Sequence, residues 1–297
     1  MVYRMVSEWT MTQAQLEEAL DKARFAPCGA SQEKSVGWME PRGQAHGPLT
    51  EVIGGQWILQ QMVETKAVPG SVVKRKVEER AQQIEATTGR KPGKKEKREL
   101  AEDARQALLP MAFTKQSTVR VWIDPQNARL ALDAGSQSKA DETMTALVTA
   151  IDGLAVQLVD TKTSPAVAMS EWLSTHEAPP GFSVDRECEL KAPDESRAVV
   201  RYTRHALDTD EVSQHITMGK VPTRLALTWN DRVSFVLTEA LQLKKVALLD
   251  VVLEDKPAAA GDRKDDGFDT DVALITGELR QLLPALFDAL GGEAEHP

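Results

Sequence analysis

The chain is organised around one strongly charged segment, Val72–Phe113, which reads VVKRKVEERAQQIEATTGRKPGKKEKRELAEDARQALLPMAF. The window from 66 to 120 holds 14 basic and 7 acidic residues, a net charge of +7. The whole chain carries −9, so taking away the +7 of this window leaves −16 on the other residues. A basic island on an otherwise acidic protein is an electrostatic footprint that the overall charge hides.

The segment is predicted to form two helices with a break between them. Ser71 can cap the first helix through its hydroxyl. The break is expected at Thr87–Gly93, because Gly and Pro interrupt helices and Pro92 disfavours α geometry in Lys91. The apolar residues of the first helix recur at helical spacing and are Val73, Val77, Ala81 and Ile84.

The second helix is expected over Lys94–Leu109, and at about 100° per residue its side chains separate into three stripes. Sorting charges onto different faces is not needed for solubility, so it favours a binding surface. A solvated helical hairpin is the simpler interpretation of a charged helix taken alone, and both interpretations stay open. The basic stripe contains Lys94, Lys97, Arg98 and Arg105, the acidic one Glu96, Glu99, Glu102 and Asp103, and the apolar one Leu100, Ala104, Ala107 and Leu108.

Composition places the chain among ordinary globular proteins. It has 297 residues, of which 41% are hydrophobic and 27% are charged, and this length can bury a sizeable core. Only Cys28 and Cys188 are present, too few for a disulfide framework or a zinc site. No apolar run approaches about 18 residues, and no signal peptide precedes Met1, so a cytoplasmic protein without a membrane partner is expected.

Strands and helices alternate along the chain without a regular βαβ rhythm. The interpretation is an α+β fold with mainly antiparallel sheets and flanking helices. Strands are predicted at Val2–Val6, Gln56–Glu64, Thr118–Asp124, Arg129–Asp133, Val199–Thr203, Thr223–Trp229, Arg232–Leu237, Lys244–Leu253 and Val272–Thr276. Helices are predicted at Thr12–Arg24, Lys139–Ile151 with Ser138 as cap, Asp208–Met218 and Gly277–Leu290, and loops at Phe25–Pro48 and Lys256–Gly267.

These elements are expected to form one unit over 1–297. Within it we expect a charged helical tip at 67–115, an α+β region with two hairpins at 116–254, and a C-terminal strand and helix at 268–297.

Short chemical motifs are few and weak. Gly89–Lys95 fails as a phosphate loop, because its glycines are too close together and no Ser or Thr follows the Lys. On a strand, Asp269 and Asp271 would share a face, and two such carboxylates could hold a magnesium ion in a nuclease. A hydrogen-bonded strand entry is the simpler interpretation of the pair.

Longer matches in a fixed order cover essentially the whole chain. On them the sequence resembles the RdgC family, the recombination-associated nucleoid proteins. The family usually begins several residues earlier, with an aromatic and basic strand that is shortened here. The matching segments are Met1–Arg4, Leu108–Phe113, Val121–Asp124, Ser170–Leu173, Gly181–Phe182, Glu187–Lys191, His215–Lys220, Leu225–Trp229, Phe268–Asp271, Thr276–Leu279 and Gly291–Glu293.

The resemblance implies a non-enzymatic DNA-binding protein without a cofactor. Its horseshoe-shaped subunits would form a ring-shaped homodimer in the nucleoid and encircle single- or double-stranded DNA with little sequence preference. By occupying DNA, the ring would limit the access of RecA recombinase. Phe113 would plug a pocket of the other subunit, and Arg204 and His205 would form a polar finger near the DNA, although His205 stands where the family more often has an amide.

The expected DNA contacts combine the charged segment with this finger. Two other functions stay open: a magnesium-dependent nuclease that uses Asp269 and Asp271, and a scaffold whose basic helices bind an acidic partner protein. The expected DNA-binding residues are Lys74, Arg75, Lys76, Arg90, Lys91, Lys94, Lys95, Lys97, Arg98, Lys115, Arg120, Arg204 and His205.

Overall fold

The computed structural model describes residues 1–254 and 266–294. Seven strands form a first antiparallel sheet in the order β2-β4-β5-β6-β1-β7, with β3 also paired to β4. These strands are β1 (Val2–Met5), β2 (Lys34–Met39), β3 (Thr50–Ile53), β4 (Gln56–Ala67), β5 (Phe113–Asp124), β6 (Arg129–Asp133) and β7 (Val156–Leu158).

A second antiparallel sheet follows in the order β12-β11-β10-β8-β9. Its strands are β8 (Phe182–Lys191), β9 (Val199–Thr203), β10 (Val221–Trp229), β11 (Val233–Thr238) and β12 (Leu243–Leu248). The described helices are α1 (Gln13–Asp21), α2 (Gly70–Thr88), α3 (Lys94–Leu108), α4 (Gln137–Ala150), α5 (Pro165–Thr175), α6 (Asp210–Thr217), α7 (Asp250–Glu254) and α8 (Asp266–Ala289). The α+β class with antiparallel sheets is therefore confirmed.

Helix α8 joins the cores of the two sheets. Leu282 and Leu286 are buried in the cluster beneath the second sheet, whereas Leu283 and Phe287 pack with Ile58 and its neighbours of the first sheet. Ion pairs add to the attachment on both sides. Arg280 Nε lies 3.0 Å from Asp124 Oδ2 of β5, and Glu278 accepts hydrogen bonds from Arg232 beside β11.

The strand expected at Val272–Thr276 is wrong, because these residues belong to α8. Their β-branched side chains favour a strand locally. In the structure Val272 is buried between the sheets, and the Thr276 hydroxyl donates to the Val272 carbonyl at 2.7 Å, a contact typical of helices. Packing against two sheets therefore overrides local propensity.

The loop expected at Phe25–Pro48 is also partly wrong, because it contains β2. The side chain of Trp38 on this strand is 1% exposed, and the backbone N–H of Trp38 donates to the Ala23 carbonyl. Gly37 lies so close to the preceding chain that a Cβ there would approach Phe25 Cα to 2.4 Å. The Gly, Pro and Ser residues around β2 hide it from a periodicity search.

Several predicted boundaries shift. Ser136 rather than Ser138 caps the helix after β6, because α4 begins at Gln137. Residues 249–253, expected as strand, lie beyond β12 and mostly in α7. The loop expected at Lys256–Gly267 lies outside the described residues up to 265, and its last two residues already belong to α8. Thr12 does form the cap of α1, in a reciprocal pair of hydrogen bonds with Gln15.

Candidate nucleic-acid interface

The long two-stranded ribbon β4–β5 places the charged helices at one end of the first sheet. Its register runs from Trp57 opposite Ile123 to Ala67 opposite Phe113. Since α2 and α3 connect these two strands, they leave the sheet beyond Ala67 and Phe113. The first residues of β5, 113–116, lie at this end of the ribbon and are exposed.

Helices α2 and α3, with the turn between them, are called the helix pair below. The two helices contact each other, yet Val73 is the single buried residue of α2 and α3 has none. Pro69, not Ser71, precedes the first turn, and no side chain caps it. Gly89 ends α2 with φ 73°, a left-handed conformation that glycine adopts at little cost. The helix pair is thus mostly surface.

Some of its cations are neutralised by neighbouring carboxylates. Arg90 makes two hydrogen bonds to the Glu96 carboxylate, and the pKa of Glu96 is lowered by them. Arg75 and Lys76 both lie 3.8 Å from Glu79. Two further pairs, at 3.8 and 3.9 Å, join Lys91 to Glu85 and Lys95 to Glu99.

Other cations of the helix pair have no such partner. Within residues 1–254 and 266–294, no carboxylate lies within the 4.0 Å ion-pair limit of the side chains of Lys74, Lys94, Lys97, Arg98 or Arg105. All five are exposed. At about 100° per residue, the four on α3 lie within about 100° of one another around the helix axis. We call Lys94, Lys97 and Arg98 the basic patch.

Arg105 was not among the expected contacts, although it extends the basic stripe along α3. Its spacing of seven residues from Arg98 is the signal that finds it, because residues seven apart lie on the same face of a helix. Lys66, in contrast, is occupied within the fold: its Nζ donates to the carbonyls of Gly29 and Ala30 at 2.6 and 3.1 Å.

The two expected contacts on β5 do not share a face. Lys115 and Arg120 are separated by an odd number of positions, so their side chains point to opposite sides of the strand. Both are exposed. The guanidinium of Arg120 lies 5.8 Å from the ring centroid of Phe268 at the start of α8. The structure therefore does not join Arg120 to Lys115.

The expected finger lies on the second sheet, just after β9. Arg204 is exposed and has φ 57°. The N–H of His205 donates to the Arg186 carbonyl at 3.2 Å, and its ring lies 5.4 Å from that of Tyr202. Burial, and then the hydrogen bond to Glu211, raise the pKa of Tyr202 to about 12, so this phenol stays neutral at physiological pH.

The aromatic residue at the end of the ribbon is strongly exposed. Phe113 is 90% and Met111 73% exposed, whereas Leu109 between them and α3 is fully buried. Phe113 is therefore not packed into the core of its own subunit beneath Val119 and Val121. Phe113 and Met111 therefore leave apolar surface exposed at the end of the ribbon.

The shared face expected of Asp269 and Asp271 is wrong. On a helix, residues two apart point about 200° apart, and both lie on α8. Arg42 binds Asp269 at 2.5 Å, also contacts Glu51 at 2.8 Å, and lies over the Phe268 ring. Across the described ranges, no group of three or more His, Cys, Asp or Glu side chains could hold a metal ion.

The fold and this surface define an α+β protein with two antiparallel sheets and an exposed basic helix pair. None of the helices in the described part of the chain is long and apolar enough to cross a membrane. A family model with the description "Putative exonuclease, RdgC" matches residues 1–293.

Curated relatives named Recombination-associated protein RdgC match almost end to end. The protein of Dechloromonas aromatica (strain RCB) is 43% identical over 98% of this chain and 96% of its own length. That of Bordetella pertussis is 46% identical over 98% and 97%, and that of Cupriavidus pinatubonensis 44% over 98% and 97%. The chain belongs to the RdgC family of recombination-associated proteins.

Proposed function

We propose that this protein binds DNA without sequence preference and that the helix pair supplies the main contact surface. The observation that carries the proposal is the basic patch, Lys94, Lys97 and Arg98, whose exposed charges have no carboxylate within 4.0 Å in the described chain. Cations left unpaired on an acidic protein are available to phosphate groups, and phosphate contacts supply most non-specific affinity. The recombination-associated names of the relatives agree with a DNA partner.

The proposed assembly is a homodimeric ring around single- or double-stranded DNA. Each horseshoe-shaped subunit would present its helix pair as a projecting hairpin, and Phe113 would enter the other subunit to close the ring. The 90% exposure of Phe113 supports this role, because a large apolar side chain gains most by burial at an interface. The net −16 outside the basic window would then lie mainly on the outer surface, away from the phosphates.

A ring on DNA would also affect recombination in the cell. By occupying DNA in the nucleoid it would compete with RecA recombinase for single strands, and it would not act on the DNA covalently. No cofactor is needed for this function, since phosphate contacts and exclusion of a competitor require only binding.

Gel-shift titrations across a range of salt concentrations, with duplexes of several sequences, test the proposal. Affinity should fall with a log–log slope of about −0.9 for each phosphate neutralised. Equal affinity for all duplexes is expected at each salt concentration. Affinity that is independent of salt, or strong preference for one sequence, would contradict it.

The description of the family model as an exonuclease makes nuclease activity the second candidate. Incubation of the protein and Mg²⁺ with supercoiled plasmid, and separately with linear DNA, distinguishes DNA binding without cleavage from nuclease activity. Intact DNA is expected from this proposal. Degradation that is lost in an Asp271→Ala variant would instead establish an enzyme that uses the α8 carboxylates, and degradation that persists would place the activity elsewhere.

A further inference from the structure

A cavity lies beside the finger, between the end of α5, β8 and the loop after β9. Its volume is about 450 Å³, within the range typical of sites for small ligands. Residues from three separate elements contribute to it, so its shape depends on the tertiary fold. Its walls include Trp172, His176, Phe182, Arg186, Ala206 and Leu207.

The walls combine buried apolar side chains with exposed polar ones. Trp172, Phe182 and Leu207 are buried, whereas His176 and Arg186 are exposed. Asp185 also borders the cavity, and its carboxylate already accepts a hydrogen bond from the Thr228 hydroxyl at 3.0 Å. A planar ring with polar edges suits such walls, because its faces meet apolar groups while its edges find donors and acceptors.

The chain at the edge of the cavity is held in place, and the lining carries charges of both signs, Arg186 together with Asp185 and Asp208. The N–H of His205 donates to the Arg186 carbonyl, and His205 Nδ1 lies 2.6 Å from the Ala206 carbonyl oxygen. Arg204 is two residues before Ala206 and is exposed. Within the described ranges, no carboxylate lies within 4.0 Å of the side chain of Arg186 or Arg204. Arg186 in the lining, and Arg204 outside it on the same loop as Ala206, can therefore bind phosphate groups of a strand that enters the cavity.

We propose that this cavity binds one unstacked base of single-stranded DNA, with Arg186 and Arg204 on the adjoining phosphates. The proposal rests on the DNA binding proposed above and adds a strand-selective site to it. Aromatic walls with cationic rims are a common arrangement for binding single strands without sequence preference. A base in an intact duplex stays paired and stacked, so the cavity should contribute to the affinity for single strands only.

An Ala206→Phe variant tests the site by filling its mouth. Ala206 is exposed, so folding should survive the larger side chain, and circular dichroism checks this. Ala240→Phe is the matched control, because Ala240 is equally exposed but lies in the turn after β11. Two signals are measured: affinity for single-stranded and duplex DNA, and the fluorescence of a single 2-aminopurine in the strand, which rises when the base leaves its stack.

The expected result is selective. Ala206→Phe should lose affinity for single strands by roughly tenfold, the effect of removing one stacked base, and should lose the 2-aminopurine signal. Its affinity for duplex, and both properties of Ala240→Phe, should match the parent. Unchanged single-strand binding and fluorescence in a folded Ala206→Phe variant would overturn the site while leaving DNA binding intact. A parent protein that binds neither form of DNA would overturn both proposals.

Crosslinking of the unaltered protein gives a second measurement that does not depend on a variant. Single strands that contain 5-iodouracil are irradiated in the complex, and the modified peptides are identified by mass spectrometry. Crosslinks to Trp172 or Phe182 are expected. Crosslinks found only on other aromatic residues would contradict the assignment of the cavity.

Discussion

At the scale of single residues, exposure separates side chains that serve the fold from those available to a partner. Leu109 and Phe113 are four positions apart, yet the first is fully buried and the second is 90% exposed. Burial of Leu109 attaches the end of α3 to the rest of the protein. Phe113 gives the single subunit little comparable packing, and the proposed dimer interface would cover its apolar surface.

Phe113→Ala should weaken the proposed dimer without unfolding the subunit. Loss of an interface aromatic typically costs about 2 kcal/mol or more, equal to about thirtyfold in the dissociation constant. Sedimentation equilibrium measures the dimer, and thermal melting at low concentration measures the subunit. Met218→Ala is a matched control, because Met218 is 74% exposed and belongs to the loop after α6. An aggregated Phe113→Ala protein, or one that dimerises like the parent, would refute the interface role.

The cysteines provide a second prediction for single residues. Burial raises the pKa of the Cys188 thiol to about 12. Thiols react as thiolates, and a pKa about three units above the ordinary value leaves about a thousandfold less thiolate at pH 8. Iodoacetamide at pH 8 should therefore leave Cys188 unmodified in the folded protein and label it after denaturation in guanidinium chloride. Mass spectrometry after timed quenching measures both.

The sign of the same shift makes the fold sensitive to alkali. The folded state holds the Cys188 proton more tightly than the unfolded state does. The stabilisation is therefore complete below the unfolded pKa of about 9 and declines as the pH rises towards about 12. Rapid labelling of Cys188 at pH 8 under native conditions would show that the thiol is accessible and would contradict this account.

At the scale of secondary-structure elements, α3 differs from the other described helices, each of which buries at least one side chain. Helices α1, α4 and α5 each bury two or more side chains, whereas α3 buries none. Its apolar stripe is only half covered, and its basic stripe points to solvent. The stability of the protein should therefore depend little on the charges of α3, which leaves them free to determine binding.

Lys94, Lys97 and Arg98 changed together to Glu should weaken DNA binding with little effect on the melting temperature. The variant removes three cations and adds three anions. The log–log slope of duplex affinity against salt concentration should therefore become shallower by about 0.9 for each phosphate contact that is lost. A Lys22→Glu, Lys162→Glu, Arg197→Glu variant has the same change in net charge at exposed positions elsewhere. Gel shifts at fixed salt compare the two.

The control variant distinguishes an effect of net charge from an effect of the basic patch itself. If both triple variants lose the same affinity, net charge alone is responsible and the basic patch is an ordinary solvated face. If only the α3 variant loses affinity and stays folded, the patch is a contact surface.

At the scale of the whole molecule, α8 packs against both sheets. Its Leu282 faces the core of the second sheet and its Leu283 that of the first. The same helix is tied to both by Arg280–Asp124 and Glu278–Arg232. Loss of packing on either face of α8 should therefore destabilise both sheets.

Leu282→Ala and Leu283→Ala should each destabilise the protein by about 2–5 kcal/mol, the range for buried leucines. Both variants should lower the melting temperature of a single cooperative unfolding transition, measured by calorimetry and by tryptophan fluorescence. Asp288→Ala is the control on the exposed face of α8, where a change within about 0.5 kcal/mol is expected. Two separate transitions, with each leucine variant shifting a different one, would show that the sheets unfold independently.

Local sequence information was sufficient for the elements whose signals are complete within a few residues. Strand β6 and strand β9 have their predicted bounds, because alternation and turn residues specify a short strand. The sorting of charge on α3 also follows from helical spacing alone. The exposure of the basic patch could be expected from that spacing, but its lack of carboxylate partners could not, since side-chain pairing across turns depends on the fold.

Tertiary structure decided the remaining features. Residues 272–276 read locally as strand but form helix, because the space between the sheets accepts a helix with apolar groups on adjacent faces. Strand β2 pairs with β4, and Gly37 lets it approach Phe25, so the strand depends on contacts between separate segments of the chain. The sequence by itself therefore determined the family, the fold class and the basic island. Which side chains are buried, paired or available was determined by packing, since burial and pairing are relations between residues far apart in the chain.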